Sequence, residues 1–194
     1  TDLKLHPEQF ELECTTVWAF PRRGNWATHT SDWRGNWSPE VVRNLILRYS
    51  KEGDVLLDSM IGGGTTAIEA KILNRNIIYS DVNSTALTRT KKSLNFKVKN
   101  KSWQKGFKWD SRDLSKLKDK TIDFVLTHPP YVDIIKYSDG ELKNDLSSIH
   151  NIDSFCDEME KVARELFRVL RPGKFCAILI GDTRRNKMYQ PLAF

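Results

Sequence analysis

The chain has 194 residues, enough for one domain with a sizeable core, and its 39% hydrophobic and 29% charged content is ordinary for a globular protein. No apolar run approaches the roughly 20 residues that cross a bilayer, and Thr1-Asp2-Leu3-Lys4 lacks a signal-peptide pattern, so the expectation is a cytoplasmic protein with no membrane partner. The net charge is +6, and from Arg89 to Lys108 there are eight basic residues and no acidic one. With Phe96, Trp103, Phe107 and Trp109 interleaved, that stretch is a candidate phosphate-contacting segment.

Cys14, Cys156 and Cys176 are too scattered for a disulfide framework or a metal pair and are expected to be small buried thiols. No metal is expected. None of the three follows a proline in a loop, which disfavours a cysteine nucleophile attacking a pyrimidine ring.

Residues 1–38 are irregular, with Trp18, Trp26, Trp33 and Trp37 among them. Ser38-Pro39-Glu40 has the chemistry of a helix start, and Val42, Leu45, Ile46 and Tyr49 form the stripe of the helix that follows. Val55-Leu56-Leu57 is a short buried strand. A glycine-rich turn and a helix over about 65–73 come next, then a strand at Ile77–Tyr79 running to Asp81 and a helix over 84–94. A weak strand is expected near 107–109 and a clear one at Ile122–Thr127, broken by Pro129-Pro130. Asp153–Leu170 has helical periodicity through Phe155, Met159, Val162, Ala163, Leu166, Phe167 and Leu170, and Phe175–Ile180 is a further buried strand. Strands alternating with helices predict an α/β domain, a mostly parallel sheet with helices on both faces and ligands at the carboxyl ends of its strands.

The segment Asp58-Ser-Met-Ile-Gly-Gly-Gly-Thr-Thr66 runs from strand through turn to helix. Its glycines permit close backbone approach to a ligand and leave helix N–H groups free. It is not a phosphate loop, since no Lys-Ser/Thr pair follows, and the spacing of a dinucleotide fingerprint is incomplete. Asp81, ending the next strand, is placed to accept from both hydroxyls of an unphosphorylated ribose. Thr127-His-Pro-Pro-Tyr131 directly follows the fourth strand, and consecutive prolines stiffen that corner and remove two amide donors.

Together these segments resemble the S-adenosylmethionine-dependent DNA amino-methyltransferases of the cytosine-N4 and adenine-N6 type, whose first motif usually reads Asp-Pro-Phe-x-Gly-Ser-Gly-Thr-Thr. Here Ser59 and Met60 stand in place of Pro-Phe. The resemblance implies a Rossmann-like class I methyltransferase, lacking the C-terminal strand pair because the chain stops at Phe194. An aromatic segment, 1–38, would pack on the cofactor site of a catalytic domain, 39–194, that is C-terminally incomplete. It implies S-adenosylmethionine as cofactor, bordered by Asp58, Met60, Gly62, Gly63, Gly64 and Thr65, with Asp81 on the ribose and Asp110 (rather than Asp113) on the adenine amino group. Thr30 and Trp37, in a segment similar to one that closes over the methionine end, are further candidates.

In the same family a side chain at the position of His128 and the carbonyl of Pro129 accept hydrogen bonds from the target amino group. Pro130 stiffens the corner, and Tyr131 stacks on the flipped base. His128 departs from the usual Asp, Asn or Ser. Only neutral imidazole accepts a hydrogen bond, so activity is expected to fall below about pH 6.5. The resemblance implies double-stranded DNA as partner, with a cognate restriction endonuclease; cytosine N4 is slightly favoured over adenine N6. Asp133, Lys136, Tyr137 and Ser138 are expected to border the substrate, and Arg184, Arg185 and Lys187 to touch nucleic acid. An RNA base amino-methyltransferase and an inactive methyltransferase-like binding module are the alternatives.

Overall fold

A computed structural model describes residues 3–130, 144–185 and 188–190. Five parallel strands form the sheet: β1 (Val55–Asp58), β2 (Asn76–Ser80), β3 (Gln104–Phe107), β4 (Ile122–Thr127) and β5 (Leu170–Ile178), in the order β3-β2-β1-β4-β5. Helix α1 (Pro39–Tyr49) precedes β1, and α2 (Thr65–Ile72), α3 (Ser84–Ser93) and α4 (Ile152–Val169) follow β1, β2 and β4. The Rossmann-like class expected from the alternation is the one observed.

Side chains alternate along each strand, so β1 feeds two cores. Leu56 joins Val42, Ile46, Ala67, Ala70, Ile77 and Phe124 on the α1–α2 side, whereas Leu57 joins Ile122, Val125, Phe155, Val162 and Leu166 on the α4 side. Strand β4 is buried along its whole length, as a central parallel strand covered on both faces should be.

Four expectations are corrected. The third strand is Gln104–Phe107 rather than 107–109; a polar edge strand has no apolar run to betray it. On α4 the inward stripe is Phe155, Val162, Leu166 and Val169, and Phe167 stands exposed, because one residue of phase separates it from Leu166. The last strand is not buried: Phe175 and Ile178 are 53% and 43% exposed, since among the described residues only β4 pairs with it. The cysteines are exposed, Cys156 on the outer side of α4, Cys176 on β5 and Cys14 in the irregular N-terminal segment. Beyond β5, Thr183–Arg185 (β6) and Met188–Gln190 (β7) pair as a separate antiparallel ribbon. No helix among the described residues is long and apolar enough to cross a membrane.

The N-terminal segment is fastened to α2 through a buried carboxylate. Glu69 Oε1 accepts from Trp26 Nε1 at 2.6 Å and faces His29 Nε2 at 2.8 Å, and Oε2 accepts from Arg43 Nη1 at 2.9 Å. A buried ion stripped of water needs such partners, and removing it leaves the opposite charge uncompensated. Glu69→Ala should therefore lower unfolding free energy by about 3–5 kcal/mol, read as a drop in urea midpoint at unchanged slope.

Candidate active site

Strand order reverses between β1 and β4: the chain moves outward from β1 to β3, then returns to pair β4 on the other side of β1. Such a switch point opens a crevice at the strands' carboxyl ends. The glycine turn follows β1 and the double-proline corner follows β4, and register sets Leu57 beside Val125. The two ends are tied directly, Thr127 Oγ1 donating to buried Asp58 Oδ1 at 3.0 Å.

The glycine turn is pressed from both sides. Gly62 and Gly64 have φ of +49° and +89°, a region that side chains disfavour. A Cβ on Gly63 would come within 2.7 Å of Asn36, and one on Gly64 within 2.8 Å of the Thr90 hydroxyl. Asn36 also accepts from Thr65 Oγ1 at 2.6 Å, and Arg23 reaches the carbonyls of Trp37 at 2.5 Å and Thr30 at 3.3 Å. The wall built by Trp33–Trp37 is thereby held over the turn.

One cavity gathers Trp37, Met60, Gly62, Gly63, Asp81, Asp110, His128 and Pro130 from the sequence-derived candidates. Asp58, Gly64, Thr65, Pro129 and Thr30 are not among its lining residues; Thr30 is exposed, bonded to Arg89 Nη2 at 2.8 Å, with its hydroxyl donating to Asp32. Tyr131, Asp133, Lys136, Tyr137, Ser138 and Lys187, and the side chains of Arg184 and Arg185, lie outside the described residues. Sequence reasoning missed Asn36, Ser111 and the Asn144–Leu146 turn, which also line the cavity. Asn36 stood within a Gly-Asn-Trp repeat; nothing in the residues around 144–146 announced them.

The cavity is acidic. Burial pushes Asp58 up to about 6, even though Met60 N–H and Thr127 hydroxyl bonds oppose the rise. Burial also raises Asp81, with the Asp145 charge adding to it, while backbone N–H groups of Asn83 at 2.8 Å and Gly62 at 3.0 Å pull the other way. His128, its ring 5.6 Å from that of Trp37, is pushed down to about 4 by burial. That corrects the expected acid limb at pH 6.5: the imidazole stays neutral well below it, because its charged form would lose water on burial. No group of three or more metal-ligating side chains occurs among the described residues.

Helix α3 runs from the carboxyl end of β2 to the amino end of β3, so Lys91, Lys92, Lys97, Lys99, Lys101 and Lys105 of the basic segment lie towards the end of the sheet opposite the cavity, whereas Lys108 follows the carboxyl end of β3.

The fold and this strand-end crevice are those of the Rossmann-like methyltransferase fold. Over residues 2–92 the chain matches the family model described as DNA methylase, the family its motifs resemble. It is 35% identical over 87 residues to the type II methyltransferase M.MthZI of Methanothermobacter thermautotrophicus (40% of this chain, 24% of that protein). It is likewise 35% identical over 79 residues to the type II methyltransferase M.SfiI of Streptomyces fimbriatus (40% and 18%). The matches thus span a quarter or less of these relatives. Among solved structures, TrmN from Thermus thermophilus superposes with TM-score 0.54 at 19% identity, covering 75% of this chain and 39% of that one. An rRNA methylase from Streptococcus thermophilus gives TM-score 0.51 at 14% identity, covering 74% and 70%. These likenesses concern the fold.

Proposed function

We propose that this chain is the catalytic part of a DNA methyltransferase that moves a methyl group from S-adenosylmethionine to an exocyclic amino group of a flipped base, cytosine N4 slightly ahead of adenine N6. The observation that carries this reading is the adjacency of the glycine turn and the double-proline corner on neighbouring strands, lining one cavity and bridged by Asp58 and Thr127. A donor held at one and a base held at the other would meet.

The residues fit the cofactor. Gly62 and Gly63 border the cavity with bare backbone, Asp81 offers acceptors for ribose hydroxyls, and ionised Asp58 favours the cationic end. When bound, the cofactor supplies an electrophilic methyl on a sulfonium. His128 and the Pro129 carbonyl accept from the two N–H groups of the target amine, concentrating electron density on nitrogen and aligning it. With a pKa near 4, the imidazole orients and polarises rather than taking the proton. The base is flipped from the duplex at a cost of a few kcal/mol. By analogy with the type II relatives we extend the proposal to a restriction-modification role, and with it propose a cognate endonuclease and a cytoplasmic setting.

The test is mass spectrometry of nucleosides from duplex DNA incubated with the protein and S-adenosylmethionine, with tRNA in a parallel arm. N4-methylcytosine or N6-methyladenine confined to the DNA arm is expected. Methylated tRNA with unmodified DNA would sink the reading.

A further inference from the structure

The basic segment has no task in the chemistry above, yet it is built as an ordered surface. All seven lysines from Lys91 to Lys108 are exposed. Around 96–102 exposure alternates: Lys97, Lys99 and Lys101 are exposed, whereas Phe96, Val98, Asn100 and Ser102 are half-buried. The half-buried side is anchored. Lys71 Nζ, on α2, donates to the carbonyls of Leu94 at 2.7 Å and Phe96 at 2.8 Å and lies 4.6 Å from the Phe96 ring centroid. Asn100 Nδ2 donates to the Lys71 carbonyl at 2.7 Å, and Trp103 N–H donates to Asn76 Oδ1 at 3.1 Å as the chain enters β3.

The charge on this surface is uncompensated. Cations on α4 are neutralised in place, Lys161 by Glu158, Arg164 by Glu160 and Arg168 by Glu165. Among the described residues no ion pair includes any of the seven lysines. Glu52, the one carboxylate lining the groove beside Lys97 and Lys99, accepts from Asn74 Nδ2 at 2.7 Å. A lysine face kept only for solubility needs no such anchorage, whereas a loop ordered in advance lowers the entropic cost of binding. No large hydrophobic side chain of the segment is exposed, which disfavours a lipid surface, where apolar burial is needed. The shape is linear. Among the described residues β3 is a sheet edge, with Lys101 before it, Lys105 on it and Lys108 past its carboxyl end, the end at which the cavity opens. Four residues of strand span about 13 Å, the axial length of about four nucleotides of one DNA strand.

We propose that the β3 edge and the anchored loop over 96–102 form a second contact for duplex DNA, gripping the sugar–phosphate backbone outside the base pair being modified and reading no sequence. The choice of partner rests on the DNA reading above.

The test is fluorescence anisotropy of a labelled duplex of about 30 base pairs titrated with the protein over a range of salt concentrations, where each phosphate contact contributes about 0.9 to the slope of log affinity on log salt. The combined variant Lys97→Gln, Lys99→Gln, Lys101→Gln should lower that slope by about two to three and weaken binding by about tenfold or more at low salt. A control that removes equal charge on the other face, Lys118→Gln, Lys161→Gln, Arg164→Gln, should leave the slope within about one of the wild type. Both should bind S-adenosylhomocysteine as the wild type does. An unchanged slope in the first variant overturns the proposal even if the protein methylates DNA, and an equal drop in the control overturns it by reducing the effect to net charge. Displacement of the duplex by tRNA at a tenth of the concentration needed with unlabelled duplex overturns it in favour of an RNA partner. A lysine-dependent slope in a protein that modifies no DNA would sustain this surface and sink the catalytic reading.

Discussion

Cofactor affinity should fall as pH drops through about 6, by up to tenfold per unit below it. The group responsible is Asp58, buried at the junction of β1 and β4, with a carboxyl pushed up to about 6 chiefly by burial. The ionised form is the one that would attract a cation held in the adjoining cavity. Below pH 6 it is protonated in the free protein, so binding must first expel a proton, and the linkage slope approaches one per titrating group. Titration at pH 6 in buffers of different ionisation enthalpy should show proton release, about half an equivalent for a group half protonated at its pKa. Asp58→Asn should remove both the slope and the release and bind weakly at every pH. A pH-independent Kd between 5 and 7 would show that this carboxyl does not face the cofactor's charge.

His128→Ala should reduce methyl transfer by about 10²–10³-fold, the usual loss on deleting one preorganised polar group from a reacting centre. S-adenosylhomocysteine should still bind within a few-fold, since the cradle is built by other residues. Turnover at saturating cofactor and DNA should stay flat from pH 8 to about 5, because burial holds the imidazole neutral down to about 4. A decline centred at 6.5 would mean that the base-binding corner is wetter than it is here.

Global stability would be a poor readout of either group, for a reason of sign. The raised carboxyl of Asp58 weakens the fold above pH 6 and ceases to do so on acidification. The depressed imidazole of His128 acts oppositely: its contribution is present above 6.5 and is lost as pH falls towards 4. The two trends oppose each other over much of the same interval, so ligand binding and turnover separate what denaturation would blend.

The legible parts of this protein were those whose chemistry is local. Asp58, the glycines and Asp81 follow from backbone rules that hold within a few residues: a strand end, a turn needing positive φ, a helix start. The double proline, too, declares a rigid corner from two adjacent residues. Val55–Leu57 and Ile122–Thr127 were readable as strands because burial on both faces demands unbroken apolar runs.

What crosses the sheet was not readable. The Gln104–Phe107 strand is polar because it lies at an edge, and the Asn144–Leu146 turn reaches the cavity only because the chain returns there after β4. His128 gives the clearest case. Its residue type set an ordinary titration near 6.5, and only the enclosure beside Trp37 moved it to about 4. Likewise the run from Lys91 to Lys105 announced its charge but not its place at the far end of the sheet. Sequence alone determined the strand–turn–helix order and the residue types that could hold a cofactor and a base. Tertiary structure decided which of them share a cavity and what charge they carry there, since proximity across strands and loss of water depend on the whole fold rather than on neighbours in the chain.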